Sequence, residues 1–148
     1  MTNNQISNLA DPTQNKDAAN KQYVDNAISN VFVPYDVMFA FSDETSPLAT
    51  GAPLPVKNFI PRGFNIDSGS ATSIMAYLST ATTNNMGCAV LRNDTVIQEL
   101  FFPAGSRVTN NVLTPTVSSL NPGDEITLYT TITDPTASGI KLVISGSY

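Results

Sequence analysis

The sequence has no histidine and no tryptophan, and its 148 residues include a single cysteine. Without histidine there is no Ser-His or Cys-His nucleophile pair and no histidine-bearing metal site. One cysteine, Cys88, cannot close an intrachain disulfide. It lies in a strand-like run, Met86 to Val90, and reads as a small core residue. A chain that needs no disulfide suits synthesis in a reducing cytoplasm. Charge is also scarce. Charged residues make up 13%, about half the usual share, and the net charge is −5. The cations Lys16, Lys21, Lys57, Arg62, Arg92, Arg107 and Lys141 are dispersed, so no basic stripe offers itself to nucleic acid or to anionic lipid. The longest apolar run, Val37 to Phe41, is far too short to span a bilayer. The polar start, Met1 to Gln5, lacks the apolar region of a signal peptide. Phosphate-cradling glycine loops are missing as well.

What is present falls into two parts. Residues 1–33 read as an arm and 34–148 as a β-domain. Within the arm, Ile6 to Ala10 reads as a short extended piece with apolar residues at Ile6 and Leu9. Asp11-Pro12 breaks the chain, because Pro12 fixes its own φ and drives the preceding residue out of helical geometry. A short helix is expected next, with Asp17 as its cap. Its apolar positions Val24, Ala27, Ile28 and Val31, with Tyr23 beside them, recur at steps of three and four and form one stripe. A stripe of roughly two heptads needs a partner, either the chain's own globular part or further copies.

Pro34 ends the arm. Beyond it Tyr35, Val37, Phe39 and Phe41 alternate with Asp36, Met38 and Ala40, the period of a half-buried strand. Residues 42–55 read as a loop, and Asn58 to Ile66 as a strand broken by Pro61 and Gly63 at an edge or bulge. Ile74, Ala76 and Leu78 point inward on the next strand. Met86 to Arg92 and Thr95 to Phe102 form a hairpin about Asn93-Asp94. A short strand is expected over Val112 to Val117, then a turn at Asn121-Pro122-Gly123-Asp124. Two alternating strands close the chain, with Ile126, Leu128, Thr130 and Ile132 alternating along the first and Ile140, Leu142 and Ile144 along the second. Roughly seven to nine short strands with turns between them predict a mainly β protein, an antiparallel β-sandwich of jelly-roll type preceded by an extended arm with one short helix.

The arm carries a resemblance. Ile6, Asn8, Leu9, Ala10, Asp11, Pro12, Asp17, Ala18, Ala19, Lys21, Tyr23, Val24 and Asp25 match, position by position, a segment that recurs in bacteriophage fibre proteins. It reads as an apolar residue, then Leu-Ala-Asp-Pro, Asp-Ala-Ala and Tyr-Val-Asp. The order of Leu78 to Thr83, the Asn93-Asp94 hairpin and Leu120 to Leu128 similarly resembles a small jelly-roll-like domain of virion surface proteins. The resemblance implies a virion structural protein made in the host cytoplasm and carried on the outer surface of the capsid or tail. It implies a homotrimer joined at Tyr23, Val24, Ala27, Ile28 and Val31. Ile6, Asn8, Leu9, Ala10, Asp11 and Pro12 would attach it to a capsid or tail protein. The small size, with no shaft, favours a cement or head-fibre role. The alternative is a short tail-fibre or baseplate component that binds a host-surface glycan, for which Tyr148 is the ring expected to be exposed. No cofactor, metal or catalytic residue is expected. The carboxylate pairs Asp43-Glu44 and Asp124-Glu125 read as solvated turns, since neighbours on a strand point to opposite faces, and not as a glycosidase pair.

Overall fold

A computed structural model describes residues 8–14, 17–29, 33–48, 54, 56–132 and 134–148. The chain divides into two units, Met1–Val33 and Pro34–Tyr148. Each holds its own local structure.

In the first unit the helix α1 runs from Lys21 to Ser29, and it starts later than expected. Asp17 does not cap it. Its carboxylate turns back to accept the N–H groups of Thr13 and Gln14, both at 2.9 Å, and closes a turn of its own. The cap is Asn20, whose Oδ1 accepts the Tyr23 N–H at 2.7 Å. Asparagine is at least as good a cap as aspartate, and with the Asp17 carboxylate committed upstream, Ala18 and Ala19 stay outside the helix.

In the second unit the described strands are β1 (Pro34–Ala40), β2 (Asn58–Phe59), β3 (Phe64–Ile66), β4 (Ile74–Tyr77), β5 (Met86–Arg92), β6 (Thr95–Phe102), β7 (Ser119–Leu120), β8 (Glu125–Ile132) and β9 (Lys141–Ser147). They build two antiparallel sheets, ordered β1-β9-β3-β7 and β2-β8-β5-β6. The first strand thus pairs with the last, the second with the last but one, and β5 with β6 in a hairpin. That is the strand order of a jelly roll. β4 also pairs with β9, at Lys141 to Ile144, while β3 meets β9 at Gly146 and Ser147. β3 and β4 therefore lie on the same edge of β9, interrupted by residues 67–73. Alternation along the strands delivers Ile74, Leu128, Leu142 and Ile144 to the interior, all fully buried, and Cys88 joins them in the core.

Three expectations along the β-unit are corrected. Asn58 to Ile66 is not one broken strand, because β2 and β3 belong to different sheets and the chain crosses between them at Ile60 to Gly63. A Cβ at Gly63 would lie 3.0 Å from Pro122 Cδ and 3.1 Å from the Leu120 carbonyl oxygen. Glycine lets the crossing pack that closely. Val112 to Val117 is no strand. Pro115 has no N–H for a ladder, and this stretch instead runs beside β6. There the Asn110 and Thr116 N–H groups reach the carbonyls of Phe101 and Ile97. Side-chain amides fasten it: Gln98 Nε2 donates to the Ala71 and Leu113 carbonyls at 3.1 and 3.0 Å. Finally, the alternation of Ile126, Leu128, Thr130 and Ile132 breaks at its end, where Thr131 and Ile132 are both exposed. The register between β5 and β8 shifts at Gly87/Cys88, and such a bulge re-aims the side chains beyond it.

Candidate functional site

The arm residues singled out in the sequence are brought together around Asn20, which sequence reasoning missed. Its Nδ2 donates to the Leu9 carbonyl at 3.0 Å and to Asp11 Oδ1 at 2.6 Å. One side chain therefore caps α1 and ties the Leu9–Asp11 stretch to the helix start. A cap residue just ahead of an apolar stripe was the available signal. Asn8 turns the chain with a φ of 60°, a conformation asparagine tolerates better than most residues. Leu9, Ala10 and Asp11 are exposed and Pro12 is half-buried. Ile6 lies outside the described residues. Hydrogen bonds from the backbone N–H groups of Thr13 and Gln14 hold the Asp17 carboxyl below its ordinary range.

On α1, Tyr23, Val24, Ala27 and Ile28 are all exposed, Ile28 at 66%. Val31 lies outside the described residues. The helix has no acidic residue in its first turn and no basic one in its last, so no charge complements its dipole. Lys21 pairs with Asp25 one turn on. This order places the cation nearer the N-terminus, the weaker arrangement for such a pair.

In the β-unit the carboxylates serve local structure. The Ser46 and Thr45 N–H groups, the latter at 2.8 Å from Oδ1, lower the Asp43 carboxyl to about 2. Glu44 pairs with Lys141 at 2.7 Å and Glu125 with Lys57 at 2.7 Å. Asp124 is buried, not solvated as expected, and Arg92 Nε lies 2.7 Å from it. Burial opposes its charge, yet hydrogen bonds from Asn121, Asn93 and Arg92 leave its carboxyl below the ordinary value. The buried Asp134 accepts the Thr83 N–H and hydroxyl, each at 2.9 Å, the Thr136 N–H at 2.8 Å, the Thr136 hydroxyl and the Asn84 N–H. No sequence feature had pointed to it. Burial pushes the Cys88 thiol up to about 12, which leaves it protonated and unreactive.

Tyr148 is partly exposed but does not stand free. Its ring centroid lies 4.7 Å from that of Tyr35, and the Arg62 guanidinium sits 5.1 Å above it. Tyr35 in turn meets Phe64 edge-on at 4.9 Å. Among the described residues no three acidic or thiol side chains converge as metal ligands, and no helix is long and apolar enough to cross a membrane. No protein-family model matches the chain, and no curated protein matches it.

Proposed function

We propose that this protein is a structural component of a bacteriophage virion, a homotrimer joined through α1 that decorates the outer surface of the capsid. The observation that carries this reading is the exposed stripe of Tyr23, Val24, Ala27 and Ile28 on a nine-residue helix. A helix this short is marginal in water, and this one lacks favourable end charges. Burying a valine or isoleucine side chain contributes roughly 1.5–3 kcal/mol, and the stripe needs a partner to gain it. Tyr23 and Val24 of the stripe fall within the segment that resembles phage fibre proteins, where further copies are the partner, and Ala27 and Ile28 continue the stripe just beyond it.

In this reading Ile6 to Pro12 grips the shell, adding backbone hydrogen bonds and the apolar anchors Ile6 and Leu9. The β-domain faces outward. A protein that binds only the assembled shell stabilises it by mass action. The acidic balance and the lack of a basic stripe fit an outer position away from packaged nucleic acid.

Light scattering on the full chain and on a chain starting at Pro34 tests the reading. The expected result is a trimer that falls to a monomer on truncation. A monomer in both, or a trimer in both, would remove α1 as the assembly element.

A further inference from the structure

Among the described strands of the β-unit, one long edge stands open. β2 and β7 end their sheets with two residues each. The edge of β6 is taken at Ile97 and Phe101, whose carbonyls accept the Thr116 and Asn110 N–H groups, both at 2.8 Å. β1 ends its sheet with seven residues in unbroken register against β9. An open edge of this kind invites a further strand. We propose that it pairs with the β1 edge of a second copy of this chain, antiparallel about Val37. This does not rest on the arm or on trimer formation.

The backbone groups of that edge follow from the ladder. The Phe41 N–H donates to the Ile140 carbonyl at 3.0 Å, one pair beyond Ala40 and Lys141. Bonded and unbonded pairs alternate between antiparallel strands, so Tyr35, Val37 and Phe39 bond to β9. Ser145, opposite Asp36, agrees: its N–H goes to the Ser73 carbonyl at 2.8 Å, away from β1. Asp36, Met38 and Ala40 therefore turn both N–H and C=O to the open edge. Among the described residues no backbone hydrogen bond reaches them from that side. Pro34 shares their parity and lacks only an N–H, as suits an edge strand.

The side chains favour a second copy over any other extended segment. The row facing the core reads Tyr35, Val37, Phe39, aromatic–aliphatic–aromatic in either direction, and all three are half-buried against the core. Pairing about Val37 sets Tyr35 beside Phe39 of the second copy, at positions where cross-strand side chains lie closest. It covers the sides of this row that one copy leaves exposed. All seven residues pair, with about six backbone hydrogen bonds. On the outer row each Asp36 lies opposite Met38 of the other copy, so like charges are not opposed. β1 also carries no lysine and no bulge, the devices that guard an edge. So small an interface is weak, with a dissociation constant of about 0.1 mM. At about 10 µM it is largely dissociated, so light scattering at that concentration reads the arm alone.

The test is amide hydrogen exchange of the full chain, read residue by residue by nuclear magnetic resonance at about 50 µM and about 1 mM. Exchange at Asp36, Met38 and Ala40 should slow about threefold at the higher concentration. Tyr35, Val37 and Phe39, already bonded to β9, should not change. Assembly through the arm alone would leave all these rates fixed, so a failure here leaves the arm reading standing. Cross-linking fixes the register. Val37 meets Val37 of the second copy with Cα atoms about 4.5 Å apart, within reach of a disulfide. With oxidised glutathione as oxidant, Val37→Cys should link into dimers faster than Met38→Cys, although Met38 is 66% exposed. The buried Cys88 should give no link in the parent chain. The proposal falls if exchange at the three edge amides is indifferent to concentration, if it slows equally at Tyr35, Val37 and Phe39, or if Met38→Cys links faster than Val37→Cys.

Discussion

Ile74, Leu128 and Leu142 in the β-unit and Val24 and Ile28 in α1 are chemically alike, yet the first three are fully buried and the last two are exposed. In the β-unit the two sheets are each other's partners. Alternation at period two gives every long strand an inner row, and the two rows close on one another. In the first unit one short helix carries the apolar stripe, so the same side chains need a partner from elsewhere. The contrast concerns where burial comes from: within the chain in the β-unit and, in the function proposed above, between chains in the first unit.

The sharpest way to break that contrast is to truncate one apolar side chain in each unit. Leu128→Ala opens a cavity between the sheets and should cost about 2–5 kcal/mol, a large part of the roughly 5–15 kcal/mol that holds a domain together. Denaturant unfolding followed through the β-unit reads this as a lower midpoint. Ile28→Ala should leave that midpoint within about 0.5 kcal/mol while shifting the mass in solution towards monomer. If Ile28→Ala lowered the β-unit midpoint as Leu128→Ala does, the two units would not be independent.

A smaller effect separates the units by pH. Asp134 has a carboxyl well below its ordinary value of 3.8, chiefly through the Thr136 hydroxyl, with burial opposing and the N–H groups of Asn84 and Thr136 and the Thr83 hydroxyl assisting. A group whose pKa is lowered by folding stabilises the fold above its unfolded value, and that contribution disappears as pH falls through the folded value. The thermal midpoint of the β-unit should therefore hold at neutral and mildly acidic pH and decline below about pH 4. Asp43, lowered to about 2, adds to the same decline. Asp134→Asn should reduce the midpoint at neutral pH and flatten the acid decline without abolishing it. A slope identical to that of the parent chain would show that this carboxylate is not a source of the acid sensitivity.

Much of the β-unit was legible in the sequence because its rules are local. Alternation at Tyr35 to Phe41, Ile74 to Leu78 and Ile140 to Ile144 needs only neighbours two apart. The hairpin at Asn93-Asp94 follows from two residues that tolerate positive φ, observed at 48° and 65°, and the turn at Pro122-Gly123 from a glycine at 85°. What escaped the sequence depends on partners far along the chain. Val112 to Val117 is no strand but is fastened from far along the chain, with Gln98 Nε2 donating to the Leu113 carbonyl and the neighbouring Asn111 amide donating to the carbonyls of Ala71 and Ile74. The outward turn of Ile132 follows from a bulge against β5. The arm was read in its apolar stripe but not in its cap, since Asp17 and Asn20 are both good capping residues and only the commitment of Asp17 to Thr13 and Gln14 decides between them.

That decision gives the smallest effect and the finest test of how the first unit is built. Asn20 accepts the Tyr23 N–H and donates to Leu9 and Asp11, so Asn20→Ala removes a cap worth about 1 kcal/mol and frees the Leu9–Asp11 stretch from the helix. Helix content of the full chain by far-ultraviolet circular dichroism, with the β signal subtracted using the chain that starts at Pro34, should fall. Association should weaken with it, because a helix that frays at Tyr23 and Val24 presents half a stripe. Asp17→Ala breaks only the turn at Thr13 and Gln14 and should leave helix content unchanged. The reverse ranking would return the cap to Asp17 and extend α1 over Ala18 and Ala19. Asn20→Asp sharpens the comparison further: it keeps the acceptor for Tyr23 but loses the donors to Leu9 and Asp11, and places a second carboxylate beside Asp11. Helix content should survive that change while the Leu9–Asp11 stretch comes loose, which separates the capping role of Asn20 from its hold on the proposed attachment segment.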